Sequence, residues 1–195
     1  CRYFNYQDLN KQEEDVLKLA EAMTYKNSLA ELPFGGGKAT IHSKINKKDA
    51  YSLFGEVLNK LNGTYITAGD MGTVDEDLRG FREYSDHVCN PIGSDSGLGT
   101  ALGVYYSMLG CVEFKFGQDS LVNKNIFIKG YGKTGSRIAS LCKKDGANIE
   151  ISDLEHKKDL IERDGYKFCS QLQDTSFEKI DIYSPCAGGG DLLSL

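Results

Sequence analysis

The chain has 195 residues, of which 40% are hydrophobic and 26% are charged, and its net charge is −5. This composition is typical of a globular protein, and the acidic balance argues against a general affinity for nucleic acid. No apolar run is long enough to cross a membrane, and the 6 cysteines form no CxxC pair. We therefore expect a reduced, cytoplasmic protein that binds no nucleic acid, no membrane and no metal ion.

Two amphipathic helices are predicted in the first half of the chain. Apolar residues recur at helical spacing in the segments 8–31 and 47–61. The second helix is expected to bury one face, which carries Leu53, Phe54, Val57, Leu58 and Leu61. Thr73 followed by Glu76 has the spacing of a capping box, which predicts the start of a further helix.

Strands are predicted where β-forming residues cluster, which in the first half is at 38–42, 63–68 and 86–89. After a long apolar helix at 100–116, strands and helices alternate regularly. The predicted strands are 125–129, 147–152, 166–169 and 180–184, and the predicted helices are 133–144 and 155–163. Such alternation favours a parallel sheet with helices on both faces. We expect an α/β protein with two domains, residues 1–104 and residues 105–195.

A glycine-rich turn follows the predicted strand at 125–129. Its GxGxxG pattern consists of Gly130, Tyr131, Gly132, Lys133, Thr134 and Gly135. In this context the first glycine permits a tight turn, the second lets the backbone approach a pyrophosphate, and the third lets the helix pack on the strand. A plain strand-to-helix turn is the alternative interpretation.

Asp153 ends the next predicted strand. A carboxylate at that position can accept hydrogen bonds from the ribose hydroxyls of NAD, and it repels the additional phosphate of NADP. The turn and Asp153 together predict NAD as the cofactor. Lys157 and Lys158 lie close by in the sequence and leave NADP as an alternative.

Three further residues are candidates for a site because of their positions. Lys26 shares an apolar helix face with Met23, where a lysine is rare unless it is paired. Lys38 follows three glycines but does not fit the phosphate-loop pattern, and Asp70 lies just past a predicted strand. Each also has an ordinary interpretation: a lysine that reaches solvent at a helix end, a solvated lysine in a turn, and an aspartate that caps a turn.

Several stretches resemble the Glu/Leu/Phe/Val dehydrogenases, in particular the leucine, valine and phenylalanine branch. Residues 23–41 (MTYKNSLAELPFGGGKATI) are similar to the lysine motif of that family, and residues 66–73 (ITAGDMGT) to its aspartate motif. The resemblance implies an N-terminal α/β substrate-binding domain of the dimerisation type, followed by a Rossmann-like domain with a doubly wound parallel sheet. Family members are longer at both ends, so we expect both domains to be truncated.

The resemblance also implies a reaction and the roles of individual residues. The reaction is the reversible, NAD-dependent oxidative deamination of an L-amino acid to a 2-oxo acid and ammonia, by a homo-oligomer. By similarity, Lys38 activates water, Asp70 exchanges protons with the substrate amine, and Lys26 binds the substrate carboxylate. The other implied substrate-site residues are Gly36, Gly37 and Ala68, and the further cofactor-binding residues are Thr100, Ala187 and Gly188.

Two other functions remain open on the sequence alone. One is a non-catalytic dinucleotide-binding protein, against which the presence of Lys26, Lys38 and Asp70 argues. The other is a glutamate dehydrogenase, which requires an additional cation for the side-chain carboxylate of its substrate. The sequence offers no clear candidate for that cation, and Ala68 beside Asp70 is compatible with an apolar pocket.

Overall fold

The structure, a computed structural model, describes residues 1–89, 96–170 and 179–188. The chain divides into two compact units, Cys1–Ile92 and Gly93–Leu195. None of the helices in the described part combines the length and the apolar character that crossing a lipid bilayer requires.

The first unit combines a small parallel sheet with helices. Its elements are β1 (Arg2–Phe4), α1 (Leu9–Leu29), β2 (Thr40–His42), α2 (Lys47–Leu61) and α3 (Asp75–Arg82). Strands β1 and β2 pair in parallel, with Tyr3 opposite Ile41. The core of this unit consists of Cys1, Ile41, Ala50, Leu58, Leu78, Phe81 and Val88.

Side-chain caps set the starts of the two long helices in this unit. The Lys11 N–H donates to Oδ1 of Asp8 at 2.9 Å, which caps α1, and the Lys48 N–H donates to Oδ1 of Asn46 at 2.9 Å, which caps α2. Short polar side chains at these positions satisfy amide groups that the helix leaves unpaired. Helix α2 ends at Leu61 and is followed by the C-cap residue Asn62, whose φ of 43° lies in the left-handed region.

The predicted strands at 63–68 and 86–89 are wrong. The two segments meet only in an isolated parallel bridge between Thr67 and Val88. The Thr67 N–H donates to the His87 carbonyl at 3.0 Å, and the Cys89 N–H donates to the Thr67 carbonyl at 2.7 Å. The clustered β-forming residues therefore place two extended segments side by side, but the backbone turns before a longer ladder can form.

The predicted buried face of α2 is wrong in part. Leu53 and Val57 are 57% and 48% exposed, whereas Leu58 is fully buried. Helix α2 is packed along Gly55 instead, where an added Cβ would stand 2.4 Å from the Cβ of Tyr84. The glycine lets the α3–Tyr84 region approach closely, and this contact determines which face of the helix is covered.

The predicted capping box at Thr73 and Glu76 is also wrong. Helix α3 begins at Asp75, and the Val74 N–H donates to Oδ2 of Asp77 at 2.8 Å. The Thr73 hydroxyl oxygen instead accepts a hydrogen bond from the Asp70 N–H, three residues earlier in the chain. The buried Asp77 carboxylate thus accepts from the backbone N–H of the N-cap residue, the role that the sequence pattern assigned to Glu76, and the helix starts one residue later than predicted.

The second unit contains a 4-stranded sheet in the order β5–β4–β3–β6, with every pair parallel. The elements are α4 (Ser96–Phe116), β3 (Asn125–Lys129), α5 (Gly135–Lys144), β4 (Asn148–Ser152), a 3-10 turn (Glu155–Lys157), α6 (Lys158–Arg163), β5 (Lys167–Phe168) and β6 (Ile182–Pro185). The predicted parallel α/β architecture is confirmed. Strand β3 has its successor β4 on one side and the later β6 on the other, so the strand order reverses at β3.

The core of the second unit lies between the sheet and its helices. Alternate strand residues such as Ile126, Ile128 and Ile151 are fully buried against Ile138 of α5 and Ile161 of α6. Runs of apolar residues in short central strands are typical of parallel sheets covered by helices. This packing fixes the end of β3, where the glycine-rich turn begins.

Candidate active site

Lys38 and Asp70 form an ion pair in the first unit. Lys38 Nζ lies 2.9 Å from Oδ2 of Asp70, and the two side chains are only 15% and 24% exposed. Strand β1 brings the two motifs together, because the Arg2 N–H donates to the Ala39 carbonyl beside Lys38 at 2.9 Å and the Tyr3 N–H donates to the Met71 carbonyl beside Asp70 at 2.9 Å. An ion pair that is largely withdrawn from water is screened less than a surface pair.

Arg2 provides a second cation for Asp70. Its Nε donates to the same Oδ2 at 3.1 Å, and its Nη1 donates to both carboxylate oxygens of Asp15 at 3.1 and 3.0 Å. Asp15, on α1, also accepts a hydrogen bond from the Tyr6 hydroxyl at 2.6 Å. The contacts therefore run without a break from Tyr6 through Asp15 and Arg2 to Asp70 and Lys38.

Asp70 is held in its ionised form. Burial alone would raise the pKa of Asp70, but hydrogen bonds from Lys38 and the Met71 N–H, with the charges of Lys38 and Arg2, lower the pKa below its ordinary value. The Asp70 N–H donates to Oγ1 of Thr73 at 2.8 Å, which fixes the turn. The site therefore presents a carboxylate next to a lysine ammonium.

Gly36 and Gly37 lie where side chains do not fit. A Cβ on Gly36 would stand 2.1 Å from Oγ1 of Thr24, and a Cβ on Gly37 would stand 2.8 Å from the Tyr65 ring. The loop is thereby packed on α1 on one side and on an aromatic ring on the other. These contacts determine where the chain enters β2 and so where Lys38 is placed.

Lys26 and Ala68 are placed differently from the Lys38–Asp70 pair. Both are exposed, and the Lys26 ammonium makes no hydrogen bond or ion pair with any residue that the structure describes. The neighbouring Asn27 donates from Nδ2 to the Gly35 carbonyl at 2.7 Å, which ties the end of α1 to the glycine loop. The structure thus joins Lys38 to Asp70 directly, and it links the Lys26 turn to them through the backbone of the loop.

The glycine-rich turn lies between β3 and α5 in the second unit. Gly130 has a φ of 104°, which favours glycine, and its N–H donates to the Ser152 carbonyl at 2.7 Å. A Cβ on Gly135 would stand 1.9 Å from the Gly130 oxygen, whereas Gly132 has no atom within 4 Å of its Cβ position. The geometry fits a turn that packs helix on strand and leaves room for a phosphate group beside Gly132.

The residues between these glycines contribute mainly through their backbone. The Tyr131 ring is buried and its hydroxyl donates to Oδ2 of Asp164 at 2.8 Å, so the side chain points into the protein. Lys133 is exposed, and Thr134 precedes α5 without a side-chain cap. Any contact of this turn with a dinucleotide would therefore come largely from amide groups.

Asp153 lies beside the turn, as its position at the end of β4 predicted. Its Oδ2 accepts from the Tyr131 N–H at 2.5 Å and pairs with Lys157 Nζ at 3.1 Å, and its Oδ1 accepts from the Leu154 N–H at 2.6 Å. Burial would raise the pKa of Asp153, but these hydrogen bonds and the lysine charge lower it. The carboxylate is ionised and is already paired with the Lys157 ammonium.

The remaining predicted cofactor residues are exposed. Ala187 and Gly188 follow β6, and a Cβ on Gly130 would stand 2.7 Å from the Ala187 nitrogen. The turn after β3 and the segment after β6 therefore touch where the strand order reverses, which is where open parallel sheets bind ligands. Thr100 is exposed on α4.

A cavity of about 660 Å³ in the second unit does not belong to this turn. Its lining includes Asn125, Phe127, Asn148 and Glu150, which lie in the first halves of their strands. The glycine-rich turn follows the opposite, carboxyl ends of the strands. The cavity is therefore separate from the candidate cofactor site.

The sequence assigned no role to Arg2, Asp15, Tyr6 or Asn27. A usable signal existed for Asp15, because it lies on the half-buried stripe of α1 with Leu19. A charge on such a face requires a partner. No comparable pattern identifies Arg2, because its partners are distant in sequence.

Comparison with known proteins agrees with this geometry. Residues 1–86 match the family model Glu/Leu/Phe/Val dehydrogenase, dimerisation domain. The chain is 36% identical to a phenylalanine dehydrogenase of Thermoactinomyces intermedius, over 97% of this chain and 55% of that protein. It is 34% identical to a leucine dehydrogenase of Bacillus subtilis, over 98% of this chain and 55% of that protein. The crystal structure of an L-tryptophan dehydrogenase from Nostoc punctiforme matches with a TM-score of 0.66 and 25% identity, over 95% of this chain and 54% of that one.

The predicted resemblance to the Glu/Leu/Phe/Val dehydrogenase family is confirmed: residues 1–86, which carry the lysine and aspartate motifs, match the family model, and the similarity to curated members extends over most of the chain. Within that family it is similar to the phenylalanine, leucine and valine dehydrogenases. It spans about half the length of the curated relatives it matches.

Proposed function

We propose that this protein catalyses the reversible, NAD-dependent oxidative deamination of an L-amino acid with an aliphatic or aromatic side chain. The observation that carries the proposal is the half-buried ion pair of Lys38 and Asp70 behind a glycine loop. The similarity to phenylalanine and leucine dehydrogenases supports the substrate class. Overall, the amino acid, water and oxidised dinucleotide give the 2-oxo acid, ammonium, reduced dinucleotide and a proton.

The substrate carboxylate is assigned to Lys26. Its ammonium is exposed and has no partner among the described residues, so it can accept an anion without breaking an existing ion pair. Gly36 and Gly37, which pack on α1 and on the Tyr65 ring, are the proposed backbone wall of the substrate site. Ala68 is the proposed contact for an apolar side chain.

Proton transfer is assigned to Asp70 and Lys38. The lowered pKa of Asp70 keeps it as a carboxylate, which accepts a proton from the substrate ammonium and later returns it to the leaving amine. Lys38 positions the attacking water and donates a hydrogen bond to the oxygen of the forming carbonyl. Because the two groups are in contact, the Lys38 ammonium can pass a proton to Asp70 once that carboxylate has released the substrate proton, and the Lys38 amine that results accepts the proton of the attacking water.

The second unit is proposed to hold the dinucleotide, which when bound supplies the hydride acceptor. The open space at Gly132 and the amide groups at the start of α5 suit the pyrophosphate, and Asp153 suits the ribose hydroxyls. Thr100, Ala187 and Gly188 are assigned to the remainder of the cofactor.

The domain assignment follows from these roles. We assign substrate binding to the first unit, Cys1–Ile92, and dinucleotide binding to a Rossmann-like, doubly wound domain in the second unit, which includes Thr100. The boundary between the units lies before the boundary at 104/105 that the sequence suggested, and both domains are partial relative to the family. The strand order of the second unit, β5–β4–β3–β6, corresponds to the first four strands, 3-2-1-4, of such a sheet. Assembly as a homo-oligomer is part of the proposal, supported by the dimerisation-domain family model.

The test is the initial rate of NADH formation with L-phenylalanine, L-leucine, L-valine and L-glutamate, each with NAD⁺ and with NADP⁺. We expect turnover of at least one of the three apolar amino acids, with a preference for NAD⁺. NADH binding without turnover of any amino acid would favour a non-catalytic dinucleotide-binding protein. A preference for L-glutamate would favour the glutamate branch of the family.

A further inference from the structure

Arg2 connects the segments that form the Lys38–Asp70 site. Its backbone N–H donates to the Ala39 carbonyl at 2.9 Å, directly beside Lys38. Its side chain joins Asp70 at one end and Asp15 of α1 at the other, and it is 18% exposed. A single residue therefore sets the spacing between the lysine segment, the aspartate turn and the first helix.

We propose that Arg2, oriented by Asp15 and Tyr6, is a positioning residue that holds the Asp70 carboxylate in place while Lys38 engages the substrate. This inference rests on the proposed function, since it assigns Asp70 and Lys38 to the reaction. Arg2 itself makes no proton transfer and touches no reacting atom. It acts only through Asp70.

The geometry explains how the guanidinium is fixed. Both oxygens of Asp15 bind one nitrogen, Nη1, which leaves Nε directed at Asp70. Tyr6 secures Asp15, and burial together with the Asp15 hydrogen bond raises the pKa of Tyr6, so the hydroxyl keeps its proton and remains a donor. An arginine suits this position because its planar fork binds two partners and stays charged.

The need for a second cation follows from the sharing of one oxygen. Oδ2 of Asp70 accepts from both Arg2 and Lys38. When Lys38 turns to the substrate, a half-buried carboxylate left with the Met71 N–H and no cation would gain a proton or move, because desolvation disfavours its charge. Arg2 keeps the charge and the orientation of Asp70 through that step.

Other titratable groups also face Asp70 and must be held constant. They are Lys38, the Tyr65 phenol and the amino group of Cys1, which contacts Thr67 and the Ala68 carbonyl. All of them are retained when only Arg2 is substituted. A comparison between variants therefore isolates the contribution of the guanidinium.

The experiment measures the pKa of Asp70 by ¹³C NMR of labelled aspartate carboxyls, assigned with Asp70→Asn. Arg2→Met is expected to raise the pKa of Asp70 by about 1 unit or more, because an opposite charge within hydrogen-bonding distance lowers a carboxyl pKa by about that much. Arg2→Lys restores the charge and should reverse part of the rise. The acid limb of the pH profile of kcat/KM should move upward in the same order.

Lys47→Met is the matched control, because it removes a cation from Asp77, another buried carboxylate of the same unit. Tyr6→Phe is a milder variant that keeps every charge and should raise the pKa of Asp70 by a smaller amount. The proposal is overturned if the pKa is unchanged in Arg2→Met, or in Tyr6→Phe where Arg2→Met does not fold. It is also overturned if Lys47→Met shifts the pKa equally. Should the protein lack dehydrogenase activity, the NMR shift still reports on Arg2, so the two failures are distinguishable.

Discussion

Asp70 and Asp153 show how individual residues obtain their properties in this protein. Burial would raise the pKa of each carboxyl, yet in both cases lysine and backbone N–H donors lower it. Asp70 is also paired with Arg2, whereas Lys157 is the one cation that pairs with Asp153 among the residues that the structure describes. Each carboxylate is therefore ionised before any ligand binds, and the cation paired with it affects which ligand groups it can bind.

The Asp153–Lys157 pair leads to a prediction on cofactor choice. Asp153→Ala is expected to weaken NADH binding more than NADPH binding, by about tenfold, because a hydrogen bond to a charged group is lost only for the unphosphorylated ribose. Lys157→Met is expected to do the reverse, since it removes the cation nearest that ribose position. Fluorescence titrations with both reduced cofactors measure this, and equal losses for the two cofactors would refute the ribose assignment.

At the scale of elements, the glycine loop before β2 illustrates how close packing places a functional side chain. Gly36 meets α1 and Gly37 meets Tyr65, while the Cβ position of Gly35 is open within 4 Å. Packing therefore fixes the loop at Gly36 and Gly37, whereas Gly35 has room for a side chain. The Asn27 side chain, bound to the Gly35 carbonyl, supplies the third attachment.

Gly36→Ala and Gly35→Ala form a matched pair that tests this arrangement. Gly36→Ala should lower the free energy of unfolding by about 1–3 kcal/mol and reduce activity, because the new Cβ overlaps Thr24 and displaces the chain before Lys38. Gly35→Ala should change the free energy of unfolding by less than about 0.5 kcal/mol. Denaturant unfolding measures both, and comparable losses in the two variants would disprove the assigned contact.

The sequence predicted elements well where one local pattern dominated. The range of α2 was predicted correctly because its helical spacing is continuous and Asn46 caps it. Its buried face was not, because Gly55 shifts the packing toward Tyr84, and that contact is invisible in hydrophobic spacing alone. The prediction of a strand at 63–68 was wrong because a strand needs a neighbouring segment that stays extended beside it, and here the pairing is limited to the bridge between Thr67 and Val88.

For the whole molecule, the parallel α/β architecture followed from alternating strands and helices, and the GxGxxG pattern predicted the turn between β3 and α5. The family motifs singled out Lys38 and Asp70, which the structure brings into contact. The Arg2–Asp15–Tyr6 contacts could not be predicted, because they join residues from separate elements through side chains. Spacing within one element carries no information about such contacts. The chain nevertheless places its two candidate sites in different units, with substrate residues in the first and cofactor residues in the second.

The most direct test of the central claim compares the wild type, Lys38→Met and Lys44→Met, each assayed for turnover of the best amino acid substrate and for NADH affinity. Lys44 is an exposed lysine close to β2 and serves as the control. Lys38→Met is predicted to lose turnover by about 10²-fold or more while NADH affinity stays within about twofold, and Lys44→Met to match the wild type. Wild-type turnover in Lys38→Met would contradict the account.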